Sequence, residues 1–138
     1  MEQLASLPAE PPAIYLTAAE CDQLWELALR AERAHPHTTA LLMAELDRAE
    51  VREPDELPQQ TVTMNSQIEF VDEGTGAQRT VQLVYPKDAD IDAGRVSILT
   101  PVGAGLIGMR AGSTIRWPDR DGRDRDLRIV RVTPLAVD

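Results

Sequence analysis

The chain has 138 residues, and 14 Lys plus Arg against 23 Asp plus Glu give a formal net charge of −9. That balance repels phosphate backbones, so direct sequence-specific nucleic-acid binding is not expected and any such role runs through a protein partner. Apolar residues at 43% describe a globular chain, while the few aromatics (Tyr15, Trp25, Phe70, Tyr85 and Trp117) are too scarce for a base-stacking platform.

Residues 1–14 are proline-rich and are expected to be extended. Helical signals begin at Thr17, which spells a capping box with Glu20. Cys21, Leu24, Trp25, Ala28 and Ala31 then recur at helical spacing, with Trp25 expected as the main core anchor. Arg30 and Arg33 fall in the last turns, where cations complement the helix dipole. Pro36 stops the run, because the residue before a proline avoids helical geometry. This places His35, Pro36 and His37 at a tip.

A second helix is expected from Thr38 or Thr39, with Leu42, Met43, Leu46 and Ala49 on one face. The two helices, ~25 Å and ~18 Å long at ~1.5 Å per residue, read as an antiparallel hairpin over residues 15–52. Neither is long enough for an extended coiled coil. Residues 53–61, punctuated by Pro54 and Pro58, read as a linker.

From Val62 the period changes to two. Val62, Met64, Ile68 and Phe70 are expected on one face of a strand, and Val81, Leu83 and Tyr85 on the returning strand after a turn at 72–76. An acidic loop at 86–94 leads to a short strand at 95–99 and a short helix at 102–110. Residues 114–117 and 127–132, joined by a turn at 119–123, complete a final hairpin. The fold class is therefore α+β: a helical hairpin, then an antiparallel sheet domain over 62–138 with one short helix.

Gly103, Gly105 and Gly108 have the G-x-G-x-x-G spacing of a dinucleotide loop. Such a loop needs a parallel β-α-β unit and a carboxylate about 20 residues later. Asp124 and Asp126 lie near that distance, but the chain after Gly108 reads as an antiparallel hairpin, and Pro101 interrupts the strand-to-loop passage. No cofactor is expected. Gly103 and Gly105 instead let the backbone turn tightly, and Gly108 lets the short helix approach the sheet. Val102, Leu106, Ile107 and Met109 then supply core contacts or an exposed apolar ridge.

Other candidate ligands fare no better. Asp119 to Asp124 has the rhythm of a calcium loop but lacks flanking helices and a glutamate at its twelfth position, so it reads as a turn. Cys21, the only cysteine, lies on the apolar helix face, which excludes an intrachain disulfide and leaves His35 and His37 without a convincing metal partner. Asp88, Asp90 and Asp92 make an acidic loop that is solvated or meets a basic partner. The N-terminus lacks a basic-then-apolar leader pattern, and no stretch approaches the roughly 18 apolar residues of a membrane span. A cytoplasmic monomer is expected.

Several spaced blocks carry a resemblance: V-T-M-N-S-Q-I-E-F at 62–70, L-V-Y-P at 83–86, S-I-L-T-P-V-G-A-G-L-I-G at 97–108, then Gly112 and Trp117. They resemble the C-terminal domain of the bacterial Gre transcription factors, most of all the Rnk branch, named as regulators of nucleoside diphosphate kinase. Residues 45–58 resemble that branch as well. Gly105, Ile107, Ser113 and the tail from Thr133 depart from the family pattern.

The resemblance implies a C-terminal domain with the fold of FK506-binding prolyl isomerases that docks at the rim of the RNA polymerase secondary channel. It also implies an N-terminal coiled coil that reaches into the channel. Cleavage-stimulating members carry acidic tip residues that help hold a second magnesium ion. Here the tip is His35, Pro36 and His37, with Glu32 about a turn back. The expectation is a non-catalytic regulator that binds polymerase, competes with cleavage factors and does not stimulate cleavage. Its expected docking residues are Leu99, Pro101, Val102, Gly103, Leu106 and Gly108, with the tip residues His35, Pro36 and His37. Two alternatives stand beside it. One is a prolyl isomerase, for which Phe70, Tyr85 and Trp117 are too scattered to line a pocket. The other is a regulator linked, directly or indirectly, to nucleoside diphosphate kinase.

Overall fold

The structure is a computed structural model that describes residues 13–118 and 124–134. Most of the proline-rich segment at 1–14 and the turn at 119–123 lie outside the described residues. The elements run β1 (Tyr15–Leu16), α1 (Ala18–Ala31), α2 (Pro36–Arg48), β2 (Glu50–Val51), β3 (Gln67–Asp72), β4 (Gln78–Val84), β5 (Arg95–Ser97), α3 (Pro101–Leu106), β6 (Thr114–Pro118) and β7 (Asp124–Thr133). The main sheet has the order β5-β4-β3-β7-β6, and β1 and β2 form a separate parallel pair.

Thr17 caps α1, its hydroxyl accepting the Glu20 N–H at 3.2 Å. The reciprocal half of the expected capping box is absent: the Glu20 carboxylate instead accepts the Met64 N–H, across the seam to the sheet, at 3.1 Å. Leu24 and Ala28 of α1 and Leu42 of α2 are fully buried. Trp25 is only partly buried and flanks the core, so it is not the main anchor. Its position one residue past Leu24 rotates it ~100° off the buried stripe. The second helix starts at Pro36, earlier than expected, because a proline fits the first helical turn where its missing N–H costs nothing.

The segment before β3 also departs from expectation. Val62, Met64, Ile68 and Phe70 are all buried, yet they do not share one strand. Asn65 adopts φ +70, a left-handed conformation that asparagine tolerates, and breaks the run. Val62 instead exchanges hydrogen bonds with the chain after α3: its N–H reaches Met109 O at 2.8 Å, and its carbonyl accepts from Gly108 N at 2.9 Å. The 53–61 linker is ordered around a 3₁₀ turn, Pro54–Glu56.

The sheet is not wholly antiparallel, because β5 pairs with β4 in parallel, with Leu83 opposite Val96. The residues between them, 85–94, fold into two 3₁₀ turns that return the chain to the start of the strand direction. Strand β3 lies centrally between β4 and β7, antiparallel to both. One hydrophobic cluster joins Leu24 and Leu42 of the helices to Ile68, Leu83, Ile98, Leu106 and Ile129 of the sheet side. The helical pair is thus packed into the same core as the sheet rather than tethered to it.

Candidate partner-docking surface

Expected docking residues cluster where β5 passes into α3. Thr100 caps α3, accepting the Gly103 N–H at 3.0 Å and donating its own hydroxyl to Ser97 O at 2.7 Å. Ser97 Oγ accepts the Leu99 N–H at 2.9 Å. These bonds fix a corner from which Pro101 is exposed, while Leu99 and Val102 are half-buried. This is a preformed rim of apolar side chains.

The remaining members of that set do not reach the surface. Leu106 is 0% exposed, and Gly103 and Gly108 are buried, so none of the three is a contact residue. Leu106 lies at the C-terminal end of α3, on the side that turns into the core beside Ile107 and Met109. A Cβ on Gly103 would lie 2.9 Å from Ile98 Cα, so the helix packs directly on backbone. Gly108 has φ +77, and a Cβ there would meet Ile14 Cβ at 2.9 Å. The Gly103 N–H is given to Thr100 and that of Gly108 to Val62, so neither is available to cradle a phosphate. Gly103 and Gly108 therefore serve close packing, and Gly103 and Gly105 lie inside α3 rather than at the tight turn expected for them, because Pro101 and the Thr100 cap start a helix there.

His35, Pro36 and His37 are exposed at the turn between α1 and α2. The His35 carbonyl accepts from the Thr39 N–H and hydroxyl, which ties the turn to α2. Helix α2 packs on α3. No hydrogen bond among the described residues joins the tip to residues 99–102.

Among the described residues, no group of three or more His, Cys, Asp or Glu side chains is placed to hold a metal, and no helix is long and apolar enough to cross a membrane. Cys21 is buried, and desolvation, followed by the charge of Asp22, pushes its thiol upward, away from the reactive thiolate. Phe70 lies in the core and Tyr85 against α1, so they do not converge on a pocket.

Two features escaped sequence reasoning. The first is the seam between α1 and the sheet. The Tyr85 hydroxyl donates to Gln23 Oε1 at 3.1 Å, and the second Glu20 oxygen, Oε1, is buried without a partner. Burial raises the Glu20 carboxyl above its usual range, opposed by the Met64 N–H. Burial and then the Glu20 charge raise Tyr85. A glutamate three residues after a threonine looks like a cap, and nothing local reveals a distant N–H. The second is Ile91, 80% exposed on the acidic loop.

The family model described as "Transcription elongation factor, GreA/GreB, C-term" matches residues 57–134. The regulator of nucleoside diphosphate kinase of Escherichia coli K12 is 43% identical over 76 residues, covering 55% of this chain and 56% of that protein. The match thus spans little more than half the length of that relative. The transcription elongation factor GreA of Acidiphilium cryptum is 34% identical over 131 residues, covering 89% of this chain and 83% of that protein. The solved structure of a GreA/GreB elongation factor from Nitrosomonas europaea superposes with a TM-score of 0.71 at 39% identity, over 88% of this chain and 98% of that one. With a family model over more than half its length and an elongation factor aligned along most of it, the chain belongs to the GreA/GreB family of transcription elongation factors.

Proposed function

We propose that the protein is a non-catalytic regulator that docks on RNA polymerase at the rim of the secondary channel and competes with GreA/GreB cleavage factors. In this reading the sheet with α3 is an FKBP-like platform, and α1 with α2 is a short coiled-coil arm. Leu99, Pro101 and Val102 are its apolar contacts, and His35, Pro36 and His37 meet the polymerase at the arm's end.

The observation that carries the reading is the composition of that end. The connection between α1 and α2 offers Glu32 alone as a carboxylate, beside Arg33 and His35, with His37 in the first turn of α2. A hard divalent cation is held by several oxygen ligands, which this turn does not supply. The arm is also short: 14 residues of α1 rise about 21 Å. An arm without those ligands does not stimulate cleavage in this reading, and its docking part rests on membership of the GreA/GreB family.

The test is inhibition of Gre-stimulated transcript cleavage by purified polymerase. The protein is expected to inhibit, and Pro101→Ala combined with Val102→Asp is expected to relieve inhibition. Both positions reach solvent, whereas a substitution at Leu106 would disturb folding. Absence of inhibition at saturating protein would overturn the proposal. A link to nucleoside diphosphate kinase, suggested by the printed name of the Escherichia coli relative, is taken here as indirect, through transcription. Capture of the kinase by the purified protein without polymerase would reverse that order.

A further inference from the structure

Among the described residues, Ile91 is the most exposed large apolar side chain, at 80% against 59% for Leu29, the next. Its exposure does not come from a slack loop. Asp90 and Arg95 exchange both backbone hydrogen bonds, at 3.0 and 2.9 Å, closing the loop at its base. The Asp90 carboxylate caps the 3₁₀ turn Ile91–Ala93 by accepting the Ala93 N–H at 3.3 Å. Gly94 ends the turn at φ +76, its N–H donating to Ile91 O at 3.0 Å. The Gly94 carbonyl then accepts from Gln82 N at 2.8 Å, anchoring the loop on β4. These bonds fix the backbone on both sides of Ile91, whose side chain stands in water.

An apolar side chain presented by a closed loop loses little conformational freedom when a partner covers it. We propose that Ile91 is a second anchor by which this chain docks on RNA polymerase, seated in an apolar recess edged by basic side chains. The inference rests on the docking reading above and adds a contact residue and a charge rule to it.

Three observations favour that occupant. Ile91 is flanked by Asp90 and Asp92, with Asp88 one 3₁₀ turn earlier, and all three are exposed. Lys87 and Arg95 bracket the loop, so the carboxylates are concentrated around the isoleucine. A second copy of this chain would bring another net charge of −9 against the first, which disfavours self-association through an acidic knob. Finally, Ile91 precedes β5 and Leu99–Val102 follow it. The strand between them, Arg95–Ser97, rises only ~10 Å, a separation that one interface of ordinary size, ~800 Å² per partner, spans. Strand addition at this edge is blocked, because the outward groups of Arg95 are already bonded to Asp90.

The experiment measures affinity of the full chain for purified RNA polymerase core enzyme at two salt concentrations. Ile91→Ser is expected to weaken binding ~10-fold or more while leaving the unfolding midpoint unchanged. Asp88→Asn with Asp92→Asn is expected to slow association and flatten its salt dependence. Asp90 is left intact because it closes the loop. If the wild type binds and Ile91→Ser binds within twofold of it, the anchor is refuted and the docking reading stands. If the wild type does not bind, both fall. Concentration-dependent self-association of the free chain that Ile91→Ser abolishes would assign the knob to a second copy and refute the proposal.

Discussion

Replacing Glu20 by glutamine is expected to stabilise the protein at neutral pH and to do so less as the pH falls. The carboxyl is buried on the α1 seam with one oxygen on the Met64 N–H at 3.1 Å and the other, Oε1, without a partner. Burial raises its pKa from the ordinary 4.5, the Met64 N–H opposing. A carboxyl raised in this way binds its proton more tightly in the folded state. Its contribution to stability is complete below the unfolded value of 4.5 and is lost as pH rises through the folded pKa. Glutamine keeps a carbonyl for Met64 and carries no charge at any pH. A buried unsatisfied polar atom costs about 1–3 kcal/mol. The gain from Glu20→Gln comes from the removed charge alone, because the introduced amide N–H₂ inherits the unpartnered position. Glu20→Ala serves as the control. It strands the Met64 N–H and is expected to cost about 1–3 kcal/mol. Urea unfolding between pH 4 and pH 7.5, read as the difference between variant and wild type, isolates this carboxyl from the others. A difference that stays constant across that range, or that favours the wild type increasingly as pH rises, would refute the account of the seam.

Gly103→Ala is expected to be strongly destabilising, because its Cβ would sit 2.9 Å from Ile98 Cα and backbone has no room to yield; thermal unfolding measures it. Gly108→Ala adds a left-handed penalty of about 1–2 kcal/mol to a 2.9 Å approach to Ile14, and increased hydrogen exchange at Tyr15, whose N–H bonds Gly108 O, is the local sign. Leu106→Ala is expected to cost about 2–5 kcal/mol in denaturant unfolding, as for a fully buried leucine, with no direct effect on partner affinity in the folded fraction. Thr17→Ala removes the cap of α1 and is expected to cost about 1 kcal/mol.

Family and class were legible because spaced blocks such as L-V-Y-P and S-I-L-T-P-V-G lie close together in the chain and carry their own turn chemistry. The position of α1 was legible for the same reason: Thr17, the apolar spacing and Pro36 are all local signals. The candidate docking surface was legible only in part. Pro101, Val102 and Leu99 reach solvent, but a run of apolar residues does not say which of its members face inward. That depends on what packs against them, and here Ile14 from the far end of the chain closes over Gly108. Strand β5 looked antiparallel in sequence because a three-residue strand has no period that reveals direction.

The sequence by itself determined the two N-terminal helices, the chemistry of the residues at their junction and the need for glycine at Gly108, since each depends on neighbours along the chain or on the absence of a side chain. Only the tertiary structure decided that Glu20 turns to Met64, that β5 runs parallel to β4, that Leu106 is core and that Ile91 stands in solvent. Those outcomes are set by contacts between residues far apart in the chain, whose strength depends on burial and geometry that no local pattern encodes.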